Sequence, residues 1–161
     1  DAFEDIWNDL GWNMRFTNLQ AAVGLAQLEK LSEFITKKRE IGHTYNKFLK
    51  KSKLFDLPPN KTDFAESIYW IYGLLIKKDY KIEPLDIINL LFSKGIGSRQ
   101  FFCPMNKQPI LNKLGFFNTE KYPNSDYLYQ KGFYIPSGLG ITYEEQEIVI
   151  NALFEIESEL T

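Results

Sequence analysis

Between Thr17 and Lys51 the chain contains no proline, and apolar side chains recur at intervals of three and four. They are Leu19, Ala22, Val23, Ala26, Leu28, Leu31, Phe34, Ile35, Ile41, Tyr45, Phe48 and Leu49. That spacing lays one apolar stripe along an α-helix. Thr17 and Asn18 are residue types that cap a helix start, and the first proline beyond is Pro58. The pattern predicts one long helix from about 18 to 51. Its first half is small-sided (Ala21, Ala22, Gly24, Ala26), which lets another helix approach closely. A chain committed to such a helix must then find a second layer to cover the stripe.

The rest of the sequence supplies that layer. The run Ser67 to Lys77 is β-branched and aromatic and predicts a buried strand. Pro84 opens a helix whose apolar positions Leu85, Ile88, Leu91 and Phe92 lead to Gly95. Ile96 to Phe102 predicts a second strand, and Phe133 to Ile135, ended by Pro136, a third. Short helices are expected over Pro109–Leu114 and Ser125–Gln130. Thr142 with Glu145 forms a Thr-x-x-Glu capping box at the start of a last helix carrying Ile148, Val149, Ala152, Leu153 and Ile156. The expected fold class is α+β: a long N-terminal helix and a small three-stranded sheet packed against helices, as one domain over residues 1–161.

Several functions are disfavoured at once. With 19 Lys+Arg against 21 Asp+Glu the chain lacks the basic surplus of a nucleic-acid binder. The longest apolar stretch, Ile68 to Ile76, falls well short of the ~20 residues of a membrane span. Cys103 is the single cysteine, which excludes an internal disulfide and a cysteine-rich zinc site. These features, with no signal-peptide pattern at the start, fit a cytoplasmic protein. His43, in mid-helix, reads as a solvated residue. The Gly138/Gly140 segment reads as a turn. No catalytic set and no metal site is expected in this chain.

One imbalance carries information. The chain has 16 lysines and only three arginines, Arg15, Arg39 and Arg99. Arginine is kept where a planar, bidentate grip on phosphate or carboxylate is needed. Arg39, in Lys37-Lys38-Arg39-Glu40, reads as part of a solvated face. Arg99 stands beside Phe101 and Phe102, which would make a stacking surface with a phosphate grip, or simply alternate between core and solvent. The chain opens at Asp1, as a piece of a longer protein would.

Longer blocks resemble a known family. Gly11-Trp12-Asn13-Met14-Arg15-Phe16-Thr17-Asn18-Leu19-Gln20-Ala21-Ala22, followed by Gly24-Leu25-Ala26-Gln27-Leu28, is similar to a signature block of the DegT/DnrJ/EryC1/StrS sugar aminotransferases. Arg99 to Pro109 resembles that family's nucleotide-sugar segment. Tyr122-Pro123-Asn124-Ser125 and Gly132 to Gly138 match its closing blocks in order. The phrase Arg99-x-Phe101-Phe102-x-Pro104-Met105 is most similar to the perosamine synthase-like branch.

The resemblance implies the C-terminal small domain of a fold-type I aminotransferase. Such enzymes hold pyridoxal phosphate (PLP) on a lysine of a large N-terminal domain, and no lysine here has the matching surroundings. The fragment alone is therefore expected to be inactive. Asn13 matches the asparagine that reaches the cofactor phosphate across a homodimer. Arg15 matches an arginine near that shared site. Arg99, Phe101, Phe102 and Asn106 match the substrate-binding segment, with Asn106 standing where the family often has histidine. The implied substrate is a nucleotide-linked 4-keto-6-deoxy sugar, GDP-linked for preference, with glutamate as amino donor, in surface polysaccharide biosynthesis. Two other readings stay open: a dehydratase of the same family, and a non-catalytic interaction domain.

Overall fold

Two helical stripes and one face of a sheet bury each other, and that enclosure fixes where everything else lies. The computed structural model describes residues 11, 14–117 and 119–160. In chain order the elements are α1 (Asn18–Glu29), α2 (Leu31–Leu49), β1 (Phe55–Asp56), β2 (Tyr72–Ile76), α3 (Pro84–Ser93), β3 (Arg99–Gln100), α4 (Pro109–Lys113), α5 (Pro123–Lys131), β4 (Gly132–Ile135) and α6 (Tyr143–Leu160). Ile41, Tyr45 and Leu49 of α2 point into the core at steps of four, and Val149, Ala152, Leu153 and Ile156 of α6 meet them. Ile87 and Leu91 of α3 close the layer. Beneath them lie Tyr72, Leu74 and Ile76 of β2 with Phe133 and Ile135 of β4. These sheet residues alternate with half-buried ones along β2, the period of a strand with two different faces. Burial also raises the phenol pKa values of Tyr45 and Tyr72. Both hydroxyls keep their protons and donate, Tyr45 to Pro136 O at 2.7 Å and Tyr72 to Asn46 Oδ1 at 2.6 Å.

The expected α+β class holds, with two corrections. The sheet has four antiparallel strands in the order β1-β2-β4-β3, not three. The extra strand, β1, pairs Phe55 with Ile76 and Asp56 with Leu75, and two residues are too few to display an alternation in sequence. The long helix is two helices. At Lys30 the backbone departs from helical angles (φ −103°, ψ 7°), and its N–H bonds to Gln27 O, three residues back, at 3.2 Å. The apolar pattern does change here: α1 carries apolar side chains around the helix and buries none, while those of α2 gather on one buried face. The first strand is also shorter than expected. Tyr69, at φ 49°, sits in the left-handed region that a non-glycine residue adopts only under constraint, and regular pairing begins after it at Tyr72.

Local signals at the helix ends are met. Thr17 Oγ1 accepts from Gln20 N at 3.3 Å while Gln20 Oε1 accepts from Thr17 N at 2.9 Å. Thr142 and Glu145 exchange the same pair of bonds at 3.2 and 2.8 Å. Among the described residues no helix is long and apolar enough to cross a membrane.

Helix α1 buries nothing. Phe16 and Leu19 are 84% and 77% exposed, and Val23, Leu25 and Leu28 are exposed beside them. Trp7 and Trp12, expected on the same face, lie outside the described residues. Apolar side chains left in water around a helix in this way favour association. The 161-residue chain is therefore expected to run above the mass of one copy in light scattering, and Leu19→Glu with Val23→Glu to return it to a monomer. A monodisperse monomer at high concentration without those substitutions would count against the association.

Candidate functional site

The sheet has a second face. In an antiparallel ladder, directly paired residues project to the same side. Gly73 pairs with Tyr134, and Tyr134 pairs with Arg99, so these three share the face turned away from α2 and α6. Helix α5 packs on β2 and β4. Its Tyr127 hydroxyl donates to Ile76 O at 3.2 Å.

Phe101 continues from β3, its N–H bonded to Gly132 O at 3.0 Å, and its ring lies over two glycines. A β-carbon at Gly73 would come within 2.5 Å of that ring. One at Gly132 would meet it at 2.5 Å and the Leu128 carbonyl oxygen at 2.3 Å. Only glycine leaves room for the ring at these positions. Phe102, the next residue, is exposed. Its ring stacks on Trp70 (centroids 6.3 Å apart, planes 9° apart) and leans on Tyr134 at 6.1 Å. The Arg99 guanidinium carbon lies 5.8 Å from the Phe102 ring centre, within cation–π range.

The segment that follows is pinned. Buried Gln108 donates from Nε2 to Cys103 O at 3.3 Å, closing the turn around Met105–Lys107. Asn106 Nδ2 donates to Asp126 Oδ1 at 3.3 Å, and Lys107 Nζ lies 3.2 Å from the same oxygen. Gln100 Nε2 reaches Tyr129 O at 3.1 Å. Thus α5 holds the segment from three sides.

Two hollows flank this structure. The first, of about 510 Å³, is mostly apolar and is lined by Phe101, Phe102, Met105, Asn106, Tyr122 and Leu128 among others. The second, of about 450 Å³, is lined by Lys38, Trp70, Ser98, Arg99, Tyr134 and Ser137 with neighbouring backbone. Ile71 lines both, and the stacked Trp70–Phe102 pair stands between them. The arrangement offers flat aromatic surface, a guanidinium and hydroxyls in two adjoining concavities. Such a surface suits an elongated ligand with a planar part and an anionic part.

Of the residues expected from sequence, Phe101, Phe102 and Asn106 meet in the first hollow and Arg99 lines the second. Arg15 lies on an exposed extended segment ahead of α1 and lines neither. Asn13 lies outside the described residues. Phe101 is half-buried and Phe102 exposed, and neither enters the main core, so the alternation between core and solvent is not what places them. The Asn106 amide is engaged by Asp126, so its donor capacity is directed into the fold. Arg39 is no solvated charge: it is half-buried, with Nε 3.3 Å from Ser67 O and 3.5 Å from Glu66 Oε1. His43 stays exposed, Nε2 against Asn60 Oδ1 at 3.1 Å. Among the described residues no group of three histidine, cysteine or carboxylate side chains could hold a metal ion.

Sequence reasoning missed Lys38, Trp70, Tyr134 and the two glycines. Lys38 had a signal, since it precedes the buried Ile41 and Tyr45 by three and seven residues and so shares their side of α2. Trp70 had none, because the turn at Tyr69 decides which way it faces.

Comparison with known proteins bears on this surface. A family model described as the DegT/DnrJ/EryC1/StrS aminotransferase family matches residues 1–154. A GDP-perosamine synthase of Escherichia coli O157:H7 is 30% identical over 154 residues, covering 95% of this chain and 40% of that protein. One of Vibrio cholerae is 28% identical over 151 residues, 91% of this chain and 39% of the relative. Among solved structures, the PLP form of the sugar aminotransferase Spr1654 of Streptococcus pneumoniae superposes with a TM-score of 0.78 at 22% identity, over 91% of this chain and 37% of that one. Helicobacter pylori PseC, an aminotransferase of pseudoaminic acid biosynthesis, gives 0.77 at 21%, over 99% and 42%. The chain spans about two fifths of the length of the curated relatives it matches.

Proposed function

The chain belongs to the DegT/DnrJ/EryC1/StrS aminotransferase family, and from that premise we propose that it is the C-terminal part of a PLP-dependent enzyme that aminates a GDP-linked 4-keto-6-deoxy sugar. The observation that carries this reading is the match to GDP-perosamine synthases along nearly the whole chain. We place the enzyme in the cytoplasm, as a homodimer that takes its amine from glutamate and serves surface polysaccharide synthesis.

The cofactor, when bound, supplies the electron sink that lets an amine leave one carbon and join another. The described residues suit the substrate rather than the cofactor: aromatic faces, one guanidinium and a pinned loop. Asn13 is the residue of this chain proposed to reach the cofactor phosphate, an amide being a good phosphate donor, and Arg15, near that shared site, is proposed to bind the substrate. Arg99 grips the anionic part of the nucleotide sugar. Phe101 and Phe102 exclude water along the sugar and nucleotide, and Asn106, held by Asp126, shapes the wall. This chain orients and binds, and the reactive lysine belongs to the large domain.

The test uses the full-length gene product with PLP, glutamate and either GDP- or UDP-linked 4-keto-6-deoxy sugar, read by mass spectrometry. A product carrying an amino group in place of the ketone, formed faster from the GDP sugar, is expected. Loss of water without gain of nitrogen identifies the dehydratase instead. No turnover of either sugar, with no nucleotide binding, leaves the interaction-domain reading.

A further inference from the structure

Gly73 and Gly132 stand in β2 and β4, the two inner strands of the sheet. Gly73 pairs with Tyr134 and Gly132 with Leu75, so both lie on the face turned away from the core. Glycine weakens a strand interior, and its presence there marks a place where another group comes close. Here one ring is close to both: Phe101 meets Gly73 with its Cζ and Cε1 and Gly132 with its Cγ and Cδ2. The two glycines differ in what a side chain would strike. At Gly132 a β-carbon would also meet the Leu128 carbonyl oxygen at 2.3 Å, a backbone atom of α5 that cannot swing aside as a ring can. At Gly73 the three nearest atoms all belong to the ring, Cζ at 2.5 Å, Cε1 at 2.8 Å and Cε2 at 3.8 Å. They are the far end of a side chain that is half-buried and lines the first hollow of about 510 Å³. Open space therefore lies on the hollow side of the ring. A methyl group at position 73 lifts the ring into that space rather than breaking the sheet, and ordinary contact is regained after about 1 Å.

We infer that Gly73 is a specificity-determining residue: its missing side chain lets Phe101 sink onto the sheet, and the depth of that ring sets the room the first hollow offers a ligand. Gly73 lines neither hollow, so it is a positioning residue that acts only through Phe101. Gly132, closed off by the α5 backbone, is structural. The identity of the ligand, a nucleotide-linked sugar, rests on the functional reading above. The coupling of Gly73 to the ring rests on the sheet.

The test compares the full-length gene product with its Gly73→Ala, Phe101→Leu and doubly substituted forms, assayed with the GDP-linked 4-keto-6-deoxy sugar and glutamate and titrated calorimetrically with GDP. Gly73→Ala is expected to lower kcat/KM for the sugar nucleotide by about 10- to 100-fold, the scale of a 1 Å misplacement, to weaken GDP binding, and to leave the KM for glutamate unchanged. Leucine at position 101 ends at its δ carbons, short of the Cζ and Cε1 that meet Gly73. In the Phe101→Leu background the added Gly73→Ala is therefore expected to change kcat/KM by no more than about twofold. That comparison decides the matter should Gly73→Ala alone fail to fold. A crystal structure of Gly73→Ala is expected to show the ring raised into the hollow with the β2–β4 pairing kept. A ring left in its parent position overturns the inference, and so does an equal loss with and without the Phe101 ring. Amination of the sugar with a kcat/KM indifferent to Gly73→Ala overturns it too and spares the functional reading. GDP binding that Gly73→Ala weakens, in a parent that does not aminate the sugar, upholds the role of Gly73 and removes that reading. No GDP binding by the parent removes both.

Discussion

Replacing Gly42 with alanine lowers the unfolding free energy by about 2–3 kcal/mol, although helix propensity alone calls for a gain of about 1 kcal/mol. A β-carbon there would stand 2.3 Å from Tyr69 Cγ and 2.4 and 2.7 Å from the two δ carbons. The clash wins because Tyr69 has nowhere to go. It is 2% exposed, its ring stacks on Tyr72 (5.9 Å, 21°), and its hydroxyl accepts from Asn46 Nδ2 at 2.7 Å while facing Asn60 Oδ1 at 3.3 Å. Its backbone is already strained at φ 49°. Urea unfolding of the full-length gene product measures the effect. In a Tyr69→Ala background the same glycine substitution should become neutral or stabilising, since the obstacle is gone. A midpoint that rises in the Gly42→Ala single variant refutes the close ring-on-backbone contact. Because Tyr69 immediately precedes Trp70, Gly42→Ala should also weaken GDP binding.

The second large effect is at Glu157. This buried carboxylate of α6 accepts from Ser52 Oγ and, at 2.7 Å, from Lys53 N. Ser52 Oγ in turn accepts from Leu54 N at 3.2 Å and Phe55 N at 3.0 Å, so one side chain organises the turn that launches β1. Glu157→Ala leaves these donors without the carboxylate in a buried place, and a loss of about 3 kcal/mol is expected. Glu157→Gln keeps the packing and one carbonyl acceptor and should lose less. Thermal melts of the two variants, compared with the parent, rank the effects. Equal melting temperatures for alanine and parent would remove Glu157 from the account of stability.

How much of this could be read from the residues alone varies with the range of the interaction. Helix ends set by a local exchange of bonds, Thr142 with Glu145, were legible, as was the start at Pro84. The apolar stripes of α2 and α6 were legible because their period is a property of the chain itself. The break at Lys30 was not, since no glycine or proline marks it and apolar residues occur on both sides of it. Tyr69 was read into a strand because a tyrosine is ordinarily a good strand residue. Its left-handed backbone is imposed by the glycine on α2 and by Asn46, distant in sequence. At the site, Arg99, Phe101, Phe102 and Asn106 could be found because they lie close together in one short segment. Trp70 and Ser137 could not, because only the β2-β4 pairing, which brings residues of the seventies beside the hundred-and-thirties, gathers them. Gly73 and Gly132 look like weak strand residues until the ring of Phe101 is seen resting on both.

The interruption at Lys30 has a mechanical consequence. Twelve residues of α1, a rod of about 18 Å, are joined to the packed body through a residue whose torsions are already non-helical. Rotation about two bonds there would re-aim the whole rod, and with it Met14 to Phe16 at its far end, without disturbing one buried side chain of the core. The direction in which Phe16 and Leu19 are presented is thus set at a single joint and not by the packing of the core.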